Sequence, residues 1–172
     1  MNDRDLIELL SAGVPAPGGV WGDLGCGEGA FTLALRELAP TARIYAVDKD
    51  GRALRRLRER GARDANLRTL QADFTRLLDL PPLDGIVMAN SLHFVRDKQP
   101  VLALVRAYLK PRGRLILVEY DADGGNPWVP YPLSYESWTQ VALKAGFVET
   151  RFLHRVPSRH LGAIYSAVSL NP

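Results

Sequence analysis

The run Asp23-Leu24-Gly25-Cys26-Gly27-Glu28-Gly29 follows a short apolar stretch and leads into "AFTLALRELA". Glycine lacks a Cβ, so a glycine turn lets the main chain approach a ligand closely. Placed between a strand and a helix, such a turn aims free N–H groups at an anionic or polar group. An acidic residue, Asp48, follows about twenty residues on, at the end of the next apolar run. Gly25, Gly27 and Ala30 also satisfy the dinucleotide spacing G-x-G-x-x-[G/A], so the residues alone leave the bound nucleotide open. His93, in "NSLHF", is the side chain best suited to proton transfer near the same end of the molecule.

The elements that must position these residues alternate. Strands are expected at 20–24, 42–47, 67–72, 84–90 and 114–120. Helices are expected at 29–39, 51–60 and 98–109, with a short helical turn at 74–80 stopped by Pro81 and Pro82. This rhythm reads as βαβ units around a parallel sheet, and runs such as "GIVMA" and "LILV" fit burial on both faces. A further helix at 134–146 precedes two strands, 147–156 and 162–170. The connection around Pro157 is too short for a parallel crossover, so the last strand must return antiparallel. The expected fold is α/β, Rossmann-like and doubly wound, with a mostly parallel seven-stranded sheet and an antiparallel C-terminal hairpin strand.

The chain has 172 residues, 47% hydrophobic and 24% charged, which suits one domain spanning 1–172. Residues 1–18 read as an amphipathic helix and a Pro/Gly hinge, a candidate lid. No apolar run is long enough for a membrane span, the start lacks a secretory pattern, and Cys26 stands alone. The histidines His93, His154 and His160 lack metal-ligand spacing. A cytoplasmic protein without a structural metal is the expectation. The run 51–63 is rich in arginine, which fits a solvated helix face or a phosphate-contacting surface.

The sequence resembles the class I S-adenosylmethionine-dependent methyltransferases over nearly its whole length. In that family the first strand ends in an acid followed by G-x-G-x-G, as in Asp23, Gly25, Gly27 and Gly29 here. The second strand ends in an acid that takes the ribose hydroxyls, matched by Asp48 in "YAVDKD". The third is followed by an acid near the adenine amine, matched by Asp73 in "LQADF". The resemblance also places Cys26, Lys49, Phe74 and Asn90 beside S-adenosylmethionine, Cys26 as packing. The stretch "VLALVRAYLKPRGRLILVEYD" matches the approach to the fifth strand, with Arg112 where a glycine is common. Asp23, Gly29, Asp73 and the final hairpin favour this cofactor over a nicotinamide dinucleotide.

A small-molecule methyl acceptor is implied. His93 is the candidate base. The loop 121–138 is the candidate acceptor wall, with Trp128, Tyr131 and Tyr135 as an aromatic pocket. Nucleic acid is possible but not favoured, because the Asn/Asp-Pro-Pro-aromatic mark is absent at Ala89-Asn90-Ser91-Leu92. A non-catalytic cofactor-binding module is the other alternative. Monomer and homodimer are both open.

Overall fold

A computed structural model describes residues 1–61 and 64–172. The tail of the arginine run, residues 62 and 63, lies outside the described residues. Helix α1 (Asp3–Ser11) opens the chain with a reciprocal capping box between Asn2 and Asp5. Then follow β1 (Val20–Leu24), α2 (Ala30–Leu38), β2 (Arg43–Asp48), α3 (Gly51–Arg60), β3 (Leu67–Gln71) and β4 (Leu83–Ala89). A single 3-10 turn at Leu92–Phe94 precedes α4 (Gln99–Tyr108) and β5 (Leu109–Tyr120). The chain ends with α5 (Tyr135–Lys144), β6 (Val148–Ser158) and β7 (Gly162–Leu170).

The seven strands lie in the order β3-β2-β1-β4-β5-β7-β6. The first five are parallel, and β7 runs antiparallel to both of its neighbours. Period-two alternation sends Ile44, Val87, Ile116 and Val118 toward α1 and α2, and Ala46 toward α3. Val47, Ile86, Met88, Leu115 and Leu117 face α4 and α5 on the other side. Apolar cover on both faces explains why the central strands read as continuous apolar runs. Among the described residues, no helix is long and apolar enough to cross a membrane.

Two local expectations give way. Residues 74–80 form no helix. Asp73 Oδ1 accepts both the backbone N–H and the hydroxyl of Thr75, which makes a tight turn instead. The Leu78 N–H then goes to the Tyr108 hydroxyl at 2.8 Å rather than back along the chain. Strand β5 also begins earlier than expected, at Leu109. Its first residue pairs with Leu83, and the pairing resumes only at Gly85 and Arg114 after a register shift. Arg112 occupies that irregularity with φ +62°, which accounts for the glycine common at this position.

Candidate active site

The glycine turn sits at the carboxyl end of β1, where open α/β sheets bind ligands. Gly25 and Cys26 both donate their N–H to the Val47 carbonyl, at 2.8 and 3.1 Å, which hooks the turn onto β2. Gly25, Gly27 and Gly29 all have positive φ, at +79°, +54° and +84°. Their surroundings differ. A Cβ on Gly29 would lie 2.2 Å from Leu57 Cδ1, and one on Gly25 would lie 2.5 Å from Ser91 Cβ. A Cβ on Gly27 would meet nothing within 4 Å. The turn therefore packs at its two ends and opens at its centre.

Asp48 spans this opening. Its Oδ2 accepts the Gly27 N–H at 2.7 Å, and its Oδ1 accepts the Asp50 N–H at 2.8 Å. Each carboxylate oxygen keeps a lone pair for a further donor. Asp50, rather than Asp48, caps α3 through the Arg52 N–H. Asp23 lies beneath the turn, buried, with Oδ2 accepting from the Thr32 hydroxyl at 2.5 Å. Its Oδ1 is buried without a partner. Burial pushes the Asp23 carboxyl up to about 7; the Thr32 bond opposes this and the charge of Asp48 adds to it. Burial likewise pushes the Cys26 thiol up, out of the reactive range, and Cys26 packs with Ala46, Leu54 and Leu57.

A cleft of about 260 Å³ runs along the turn, lined by Gly25, Asp48, Lys49, Asp73, Phe74 and Asn90 together with Ser91, Phe94 and Val95. Asp73 is held in its Asx turn, and the Thr75 bonds keep its carboxyl below the usual range. A larger cavity of about 780 Å³ lies beyond, bounded by Asn2 and Asp5 at the start of α1, by Tyr120, and by Ser158, Arg159 and His160 on the β6–β7 turn. Asn90 lines both spaces. It follows β4 with φ +50°, a conformation asparagine tolerates better than most residues. Its N–H is fixed to the Val118 carbonyl at 2.9 Å, and its Oδ1 is buried without a partner.

The structure does not assemble the expected aromatic pocket. Tyr135 begins α5 and packs its ring edge-on to Tyr165 and Phe152, at 5.8 and 5.3 Å, because the α5 face is needed to cover the sheet. Tyr131 is held by its backbone, with its N–H on the His93 carbonyl. Trp128 stands 81% exposed beside the Asn126–Val129 bridge. None of the three lines either space. His93 lies behind the wall rather than in it: it is 3% exposed, and its Nδ1 is 2.9 Å from Glu119 Oε2. Helix α1 is packed on α2 and β6 with Leu9 and Leu10 fully buried, so only its first turn borders the cavity. The sequence reading missed Tyr120, Glu119 and the β6–β7 turn. A signal existed for the first two, which end a parallel strand.

Known proteins share this framework. A family model described as "Methyltransferase domain" matches residues 23–115. A cypemycin N-terminal methyltransferase of Streptomyces sp. is 31% identical over 82% of this chain and 62% of its own length. A malonyl-[acyl-carrier protein] O-methyltransferase of Alcanivorax borkumensis is 27% identical over 89% of this chain and 56% of its own. The chain thus spans little more than half the length of these relatives. Among solved structures, a Burkholderia thailandensis 1,6-didemethyltoxoflavin-N1-methyltransferase, with that compound and S-adenosylhomocysteine bound, superposes with a TM-score of 0.77. That match has 22% identity and covers 98% of this chain and 77% of the other. The family match begins at Asp23 and covers Gly25, Asp48, Asp73 and Asn90, which line the smaller cleft. The chain belongs to the methyltransferase domain family.

Proposed function

We propose that this chain is one S-adenosylmethionine-dependent methyltransferase domain that methylates a small-molecule acceptor in the cytoplasm. The observation that carries the reading is the wall at Asn90, with a nucleotide-sized cleft on one side and a separate, larger cavity on the other. A methyl donor and its acceptor need two such spaces meeting at one point.

The residues present fit the donor. The open centre of the turn at Gly27 leaves room for a ligand against the main chain. The unpartnered Asn90 oxygen, on the wall of both spaces, supplies an acceptor for a cationic amino-acid end, and the buried Asp23 carboxyl beneath the turn favours that charge through the backbone. Asp48 keeps lone pairs for the ribose hydroxyls, Asp73 accepts from the adenine amine, and Lys49 and Phe74 flank them. S-adenosylmethionine supplies a methyl group made electrophilic by its sulfonium. The chain's own task is to align the acceptor and exclude water.

The larger cavity is the acceptor chamber in this reading, closed by α1, Tyr120 and the β6–β7 turn rather than by the aromatic residues of 121–138. The Burkholderia enzyme, which has 1,6-didemethyltoxoflavin bound, supports a small acceptor. The arginine helix gives little to a nucleic-acid reading: Arg56 pairs with Glu28, and Arg60 donates to the Glu28 carbonyl. Calorimetry with S-adenosylmethionine, S-adenosylhomocysteine and NADH in parallel tests the assignment. Binding of the first two and not the third is expected. Binding of NADH alone overturns it.

A further inference from the structure

The Glu119 side chain, at the C-terminal end of β5, has no exposed surface. Its Oε1 accepts the His93 backbone N–H at 3.0 Å, and the His93 Nδ1 lies 2.9 Å from Oε2 and 3.1 Å from Oε1. The Tyr120 N–H reaches Oε2 at 3.3 Å. A buried carboxylate with this set of donors is fully committed. The histidine is equally enclosed, with its ring 4.3 Å from Phe94 and 5.7 Å from Tyr120. The residues around the pair face the two spaces: Asn90, Ser91, Phe94 and Val95 the cleft, Tyr120 the larger cavity. The same pair ties in the long loop after β5. The His93 carbonyl accepts the Tyr131 N–H at 3.0 Å, and Lys98 Nζ bridges the Val95 and Tyr131 carbonyls at 2.8 and 3.0 Å.

We propose that His93 and Glu119 are a positioning pair rather than a base and its partner: the carboxylate, through the Nδ1–H of the imidazole, holds the wall that separates donor from acceptor. The inference rests on the methyltransferase reading above. His93 reaches neither reactant, so its effect passes through the turn it fixes. A carboxylate without exposed surface allows one good solution for that turn, because any shift leaves a charge unpaired.

Wild-type affinity for S-adenosylhomocysteine is measured first, by calorimetry. Its absence removes the methyltransferase reading itself and is seen before any variant is made. His93→Ala is expected to weaken that affinity at least tenfold. His93→Asn, whose amide N–H stands where Nδ1–H stood, is expected to bind within about threefold of wild type. Glu119→Gln should weaken binding, and the double variant His93→Ala/Glu119→Gln should be no weaker than the worse single one, as coupled partners require. Should a variant fail to fold, imidazole ¹⁵N spectra of the wild type decide: a proton on His93 Nδ1 is required. A spectrum with the proton on Nε2 alone, full affinity in His93→Ala, an asparagine variant as weak as the alanine one, or multiplying single effects would each overturn the pairing.

Discussion

The Asp48 carboxylate grips Gly27: Oδ2 accepts the glycine N–H at 2.7 Å, across 21 residues of chain. One side chain thereby sets the open centre of the turn and, in the proposed complex, meets the ribose. Asp48→Ala should weaken S-adenosylmethionine binding by tenfold or more, since charged hydrogen bonds contribute roughly 1.5–3 kcal/mol each. Calorimetry checks it, and unchanged affinity would take Asp48 out of the site.

Gly27 and Gly29 separate binding from stability. Gly29→Ala sets a methyl against the buried Leu57 at a left-handed φ. Overpacking and backbone strain together should cost about 2–4 kcal/mol in urea unfolding. Gly27→Ala meets no atom within 4 Å, so its cost is backbone strain alone, about 1–2 kcal/mol. Its larger effect should be on the ligand, whose space the methyl enters. Equal losses of stability in the two variants would contradict this division.

Asp23 predicts a pH dependence of unusual sign. Its carboxyl is raised by burial to about 7, from 3.8 in a model peptide. Between those values the folded chain holds a proton that the unfolded chain has released, so this group's contribution to stability falls as pH rises through the interval. The span corresponds to something on the order of 4 kcal/mol. Asp23→Asn keeps the acceptor for Thr32 and removes the titration. Relative to wild type, the variant should gain stability from about pH 4 to about pH 8. In the wild type below pH 7, an ammonium bound over the turn should favour release of that proton through its charge. S-adenosylhomocysteine binding enthalpy should then vary with buffer ionisation enthalpy, and a buffer-independent enthalpy would separate Asp23 from the ligand.

Much of this fold was legible because the physics is periodic. Strand β1 and strand β7 fall at the expected residues, since apolar runs bounded by glycine, proline or charge have few alternative placements. The glycine turn was legible for a local reason: three alternate positions, 25, 27 and 29, are left-handed and favour glycine. The turn after β3 was not, because an Asx turn at Asp73 competed with the helical pattern of 74–80 and won. The acceptor side was least legible. Trp128, Tyr131 and Tyr135 have the composition of a pocket, but pocket membership depends on where a loop is pinned. That is fixed by the His93 carbonyl and Lys98, distant in sequence. Glu119 reads locally as the polar end of an apolar strand; only the folded sheet brings it against His93.

Arg112 and Glu149 test the cost of a left-handed residue without glycine. Their φ values are +62° and +50°, and their side chains pair at 2.7 Å with more than half of each exposed. The Arg112 N–H also donates to the Asn171 carbonyl at 3.0 Å, so the backbone is held in this conformation from both ends. The exposed pair contributes little, and either truncation removes it. Arg112→Ala loses the pair and retains the strain. Arg112→Gly loses the pair and relieves the strain, at the expense of a freer unfolded chain. The glycine variant should therefore be the more stable of the two by about 1 kcal/mol, the reverse of the order at an ordinary strand position. Urea midpoints of the two variants decide it. An alanine variant equal to or above the glycine one would mean that the turn relaxes out of the left-handed region when the side chain is shortened.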